Sequence, residues 1–138
     1  MNPFNTSGKP LMKKLGIKKN MMVTFIQPPD YLFDLLGDFP EGVQFINKAN
    51  KTYLDYIHGF YARGKDLQRD LPYFKEYLRK EGMIWISWPK GKSGMDDSLN
   101  REKIRECFLK EGFVDIKVCA IDDTWSALKF VFRKKNRI

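Results

Sequence analysis

The residues of this chain best suited to chemistry fall in two loops. Lys90, Gly91, Lys92, Ser93 and Gly94 follow the apolar run Met83 to Trp88, and Asp122, Asp123, Thr124, Trp125 and Ser126 join two β-rich runs. A basic, glycine-containing loop at the end of a strand can hold an anion on its ammonium and backbone N–H groups. Gly91-Lys92-Ser93 has the ending of a phosphate-binding P-loop, but the first glycine of that motif falls on Ile86, so an ATPase site is not expected. A plain anion site at Lys90, Lys92 and Ser93 stands against an ordinary solvated connection.

Trp88 and Trp125 could stack on a planar ligand, while Asp122 and Asp123 could accept hydrogen bonds or bind a cation. The plainer alternative is that the two indoles pack on one another to close a hairpin and one aspartate caps its turn. Asp30 and Arg63, each just beyond an apolar run, would join Ser126 at the same rim if the sheet is parallel, because loops after parallel strands emerge at one edge. The only histidine is His58. It lies mid-strand between Ile57 and Gly59, where a buried, hydrogen-bonded ring is expected rather than a general base. Cys107 and Cys119 lack metal-ligand spacing and read as reduced thiols. No metal, disulfide or cofactor is expected, and no catalytic residue is identified.

These loops need elements to hold them. Met21 to Ile26 reads as a central strand stopped by Pro28 and Pro29, Tyr31 to Leu36 as a short helix, Val43 to Ile46 as a second strand, and Leu54 to Tyr61 as a third. Lys65 to Lys80 carries Leu67, Leu71, Phe74 and Leu78 at helical spacing, with a break expected at Pro72. Glu76 to Ile86 nearly repeats as Glu106 to Ile116, 30 residues on. In both, Lys-Glu-Gly reads as a helix end with Gly82 or Gly112 in a left-handed cap. Asp96, Asp97 and Ser98 are expected to cap the last helix, to about Lys110. The turn at Asp122 to Ser126 is too short for a crossover, so the two last strands must be antiparallel.

The net charge is +8, and it is unevenly placed. Residues 1–20 hold five lysines and no acid, and residues 129–138 hold five basic residues and no acid. The remainder has 15 basic against 17 acidic residues, so the body is slightly acidic. Basic ends can contact nucleic-acid phosphates, though more often they keep a protein soluble. No apolar run approaches the length of a membrane span, so a soluble, cytoplasmic protein without a membrane partner is expected.

The phrases Lys14-Leu-Gly-Ile-Lys18, Trp85-Ile-Ser-Trp-Pro-Lys90 and Thr124-Trp-Ser-Ala-Leu-Lys129 resemble uncharacterised bacterial proteins grouped as domain of unknown function 3052. The resemblance spans about residues 11–130 and implies a reduced class I methyltransferase fold without supplying an activity. Read together, the sequence predicts a three-layer, Rossmann-like α/β fold, with a mostly parallel sheet of five to six strands ending in an antiparallel C-terminal hairpin. A flexible arm is expected over 1–12, a single domain over 13–134 and a basic tail over 135–138. The turn Gln27-Pro28-Pro29-Asp30 lacks the glycines of a cofactor-binding turn, and Asn47-Lys48 supplies no carboxylate for a ribose. The leading expectation is therefore a non-catalytic binding or regulatory protein whose partner, a protein or a small molecule, meets the rim at Trp88, Lys90, Lys92, Ser93, Asp122, Asp123, Trp125, Ser126, Asp30 and Arg63. The alternatives are a methyltransferase-like enzyme or sensor with a nucleotide-type pocket, and nucleic-acid binding through the basic termini.

Overall fold

The computed structural model describes residues 10–47, 53–91 and 97–137. In chain order the elements are α1 (Leu11–Leu15), β1 (Met22–Ile26), α2 (Leu32–Leu36), β2 (Gln44–Phe45), β3 (Leu54–Phe60), α3 (Gly64–Tyr77), β4 (Leu78–Pro89), α4 (Arg101–Lys110), β5 (Phe113–Ala120) and β6 (Trp125–Phe132). The described strands form one six-stranded sheet in the order β2-β1-β3-β4-β6-β5. Strands β2, β1, β3 and β4 pair parallel, and β6 pairs antiparallel with both β4 and β5. The expected Rossmann-like sheet with a closing antiparallel hairpin is present.

Side-chain parity along the strands builds two separate cores. On one face, Leu67, Leu71 and Phe74 of α3 and Ile104 and Phe108 of α4 bury against Leu54, Ile57, Ile84, Ile86 and Phe130. Its centre is aromatic: Phe108 stacks on Phe130 with centroids 4.3 Å apart, and Phe74 stacks on Phe108 at 5.8 Å. On the other face, Met12 and Leu15 of α1 and Leu32 and Leu36 of α2 pack on Val23, Tyr56, Phe60 and Trp85. Packing thus reaches into the segment expected as an arm. The indole N–H of Trp85, a fully buried side chain, donates to the Leu15 carbonyl at 2.8 Å and fastens α1 to the middle of the sheet.

Three local expectations need correction. Helix α3 runs unbroken through Pro72; the flanking Leu71 and Phe74 are buried on the sheet, and that packing outweighs the lost backbone bond, a cost of about 3 kcal/mol. The two Lys-Glu-Gly phrases fold differently. Gly112 has φ 93° and turns the chain after α4, whereas Gly82 lies inside β4, where the register against β3 slips. A Cβ on Gly82 would come within 2.7 Å of Leu78 Cδ1, so a side chain here would displace the buried Leu78. The caps also differ from expectation. Asn100 caps α4 by accepting from the Lys103 N–H at 2.9 Å, while Asp97 reaches α3 instead, accepting from the Lys65 N–H at 2.8 Å.

His58 is fully buried, stacked on Phe60 at 4.5 Å between centroids. Its Nδ1 lies 2.9 Å from the Tyr56 hydroxyl and its Nε2 2.7 Å from Ser87 Oγ. In a neutral imidazole one nitrogen donates and the other accepts, so both ring nitrogens are satisfied. Burial lowers the His58 pKa to about 3, because the charged ring would lose its hydration.

The unfolded chain takes up a proton near pH 6.5 that the folded chain refuses until about pH 3, so stability should fall as pH drops through that window. The slope is about 1.4 kcal/mol per pH unit. Urea unfolding at about pH 7 and pH 4.5 should show His58→Gln losing roughly 2–3 kcal/mol less than wild type over that step; equal losses would show that His58 does not govern the acid response. Trp85→Phe should cost roughly 2–4 kcal/mol through the orphaned Leu15 carbonyl and the space left. Hydrogen exchange should locate the loosening in α1.

Candidate functional site

The carboxyl ends of β1, β3 and β4 and the β5–β6 turn share one edge of the sheet, as parallel topology demands. The loops there are tied to one another. Asp122 Oδ1 accepts from the N–H groups of Thr124 and Trp125, both at 2.8 Å, and closes the hairpin. The Lys90 N–H donates to the Thr124 carbonyl and its ammonium to the Asp122 carbonyl, each at 2.8 Å. The Tyr31 hydroxyl, after β1, reaches Asp122, Thr124 and Trp125 across the strand ends; partial desolvation and then the Asp122 carboxylate raise its pKa.

The residues expected at the rim therefore divide. Lys90, Asp122 and Trp125 come together, but mainly to fasten the hairpin turn. Asp123 and Asp30 are exposed. Ser126 stands opposite Trp88 in the β4–β6 ladder. Trp88 is buried in the α3/α4 core, whereas Trp125 packs on the opposite core, edge-on to Phe60 at 5.2 Å. The two indoles do not converge, because they differ by one position in register and so project from opposite faces. Arg63 begins α3 and forms a bridge to Ser98. Lys92 and Ser93 lie outside the described residues.

A cavity that the loop residues did not announce lies at the ends of β1 and β2. It encloses about 270 Å³ and is lined by Val23, Thr24, Phe25, Pro28, Phe33, Phe45, Ile46 and Asn47, near the lower limit of about 300 Å³ for small-molecule sites. Phe25 meets Phe33 edge-on at 5.2 Å, and Phe39 meets Phe45 at 4.9 Å. Phe33 and Phe45 are 41% and 54% exposed, so each ring turns an apolar surface to solvent. No local signal in the sequence announces it, because Phe25, Phe33 and Phe45 come from a strand, a helix and an edge strand and meet only in the fold.

The backbone beside this cavity is bent. Gln27, the first residue after β1, has φ 53°, a left-handed conformation that costs a non-glycine residue about 1 kcal/mol or more and recurs at ligand sites. It produces the sharp exit that glycine would otherwise provide. Among the described residues no acid–base pair lines the cavity. His58 and Ser87 have the spacing of a base and a nucleophile, but both are fully enclosed in the core. Tyr61 is also committed, donating to Asp70 at 2.7 Å, with its pKa raised by burial first and then by Asp70. Among the described residues no cluster of His, Cys, Asp and Glu could hold a metal ion, and no helix is long and apolar enough to cross a membrane.

No family model and no curated protein matches this sequence. Solved structures do match its fold. A proposed type 11 methyltransferase from Sulfolobus solfataricus aligns with TM-score 0.62 at 14% identity, over 93% of this chain and 92% of that one. The ribosomal protein L11 methylase from Lactobacillus delbrueckii subsp. bulgaricus aligns with TM-score 0.60 at 10% identity, over 88% and 74%. Magnesium protoporphyrin IX methyltransferase from Synechocystis PCC 6803, with bound S-adenosylmethionine, aligns with TM-score 0.60 at 7% identity, over 94% and 79%. At such identities the likeness establishes the fold alone: this chain has the Rossmann-like fold of methyltransferases.

Proposed function

We propose that this chain is a methyltransferase-like enzyme or sensor that binds a nucleotide-type small molecule at the carboxyl ends of β1 and β2. The observation that carries this reading is the aromatic-walled cavity of Phe25, Phe33 and Phe45. It lies beside the point where the strand order reverses, with β2 on one side of β1 and β3 on the other, which is where open α/β sheets bind ligands. S-adenosylmethionine fits the donor set: the exposed rings suit its adenine, and the Asn47 carboxamide, also lining the cavity, can both donate to and accept from ribose hydroxyls. When bound, that group would supply an electrophilic methyl. The chain's own contribution is to offer the base the exposed apolar faces of Phe33 and Phe45.

A second reading is a non-catalytic protein that meets a partner at the rim through its exposed Asp30 and Asp123, since Asp122 and Lys90 spend hydrogen bonds on each other's loops and Pro28 and Pro29 offer a small molecule no backbone donors. Titration of S-adenosylmethionine, S-adenosylhomocysteine and ATP, followed by calorimetry, separates the two. The first reading expects saturable micromolar binding of one of them, weakened at least tenfold by Phe45→Ala. Because Phe45 is 54% exposed, that variant should unfold at nearly the wild-type temperature. Absence of saturable binding by all three would remove the small-molecule reading and leave the partner-binding one.

A further inference from the structure

The fold sets two lysines of the C-terminal hairpin beside the lysines of α1 and the turn after it. Lys117 of β5 and Lys129 of β6 are direct cross-strand partners, on the face that also carries Trp85 and α1. The Lys117 ammonium stands 5.9 Å from the centre of the Trp85 ring. Lys129 Nζ lies 4.0 Å from the point where a Cβ on Gly16 would stand, so it reaches the turn that leads from α1 to Lys18. Lys14 on α1 acts with Lys117 on Cys119, the β5 residue two beyond Lys117.

Like charges placed directly opposite one another on a sheet repel. None of the ion pairs among the described residues includes Lys14, Lys18, Lys117 or Lys129. Asp115, the nearest acid along β5, is turned to the other face and paired with Arg105 at 3.1 Å. Lys129 is only half exposed. Desolvation, and then the charges of Lys117 and Lys18, push its pKa below the ordinary lysine value. Repulsion that the fold does not relieve internally is relieved by an anion carrying more than one charge, which also releases its own counterions on binding. Lys13, Lys18 and Lys19, against the single carboxylate of Asp38, line the adjoining groove between α1 and α2, so the excess of positive charge continues past α1.

We propose that Lys117 and Lys129, with Lys14 and Lys18, form a binding site for phosphate groups on the α1 face of the β5–β6 hairpin. The site lies four residues along β6 from Trp125, or about 13 Å from the rim, and is separate from the aromatic cavity. It draws on Lys14 and Lys18 of the basic N-terminal segment, Lys129 of the basic C-terminal one and Lys117 from the body between them.

Thermal unfolding with tripolyphosphate alone tests it first. Wild type should gain about 5 °C or more once the ligand is a hundredfold above its Kd. Lys117→Gln/Lys129→Gln should unfold at a higher temperature than wild type without ligand, because the repulsion is gone, and should bind at least tenfold more weakly. Lys14→Gln/Lys18→Gln, which leaves the strands untouched, should weaken binding in the same direction, whereas Lys65→Gln/Lys110→Gln on the α3/α4 side should not. A single-stranded 12-nucleotide DNA identifies the source: binding much tighter than tripolyphosphate, with steep salt dependence, assigns a nucleic-acid backbone, and the reverse order assigns a small phosphate compound. Equal stabilisation of wild type and Lys117→Gln/Lys129→Gln, or failure of both probes to bind, would overturn the site. S-adenosylmethionine carries no phosphate, so its binding by these variants should be unchanged, and either proposal can fail without the other.

Discussion

The hydrogen bond from the Trp85 indole to the Leu15 carbonyl is the constraint on which one whole face of the molecule rests. Helix α1 has five residues, far fewer than an isolated helix needs to persist in water. It survives because Met12 and Leu15 are buried and because the indole accounts for a carbonyl at its C-terminal end, where helical partners run out. Trp85 is in turn held at the middle of a strand paired on both sides. The same ring lies beneath Lys117, so one side chain sets the position of the helix that carries Lys14 and borders the strands that carry Lys117 and Lys129.

Much of this architecture was legible in the sequence, for reasons that mark where such reading stops. The strands announced themselves because β1, β3 and β4 are apolar runs bounded by proline or polar residues, and the stripe of Leu67, Leu71 and Phe74 identified α3. What failed was whatever tertiary packing decides, whether the deciding neighbour is near in sequence or far. Lys-Glu-Gly ends a helix at Gly112 and sits in a strand at Gly82, because in the second case Leu78 packs against the glycine. Asp97 caps a helix that begins 33 residues earlier, at Gly64, and nothing local in the sequence signals that. Pro72 was read from its own geometry, while Leu71 and Phe74 decided the matter.

The candidate site was read unevenly for the same reason. That one aspartate caps the hairpin turn is a local argument, offered as the plainer alternative without saying which, and Asp122 is that residue. The meeting of Trp88 with Trp125 failed on strand parity, since a shift of one residue reverses the face on which a side chain emerges. The cavity at Phe25, Phe33 and Phe45 escaped because its walls come from a strand, a helix and an edge strand, each unremarkable alone. Buried polar chemistry behaves differently again. Tyr56, His58 and Ser87 are partnered with one another inside the core, so in this fold a histidine beside a serine denotes specificity of packing rather than reactivity.

The sheet order has a kinetic meaning. Strand β5 follows β4 through α4 and runs parallel to it, yet β6 lies between them. During synthesis β5 is complete before β6 exists, and a right-handed crossover through α4 could lay β5 directly against β4. That arrangement would satisfy backbone pairing and bury apolar side chains, but it would occupy the slot β6 must enter. The four residues from Ile121 to Thr124, closed by Asp122, make the local hairpin faster to form than any pairing that spans a helix. Once β5 and β6 are joined, only β6 offers β4 an antiparallel edge, and the wrong neighbour is excluded by timing as much as by energy.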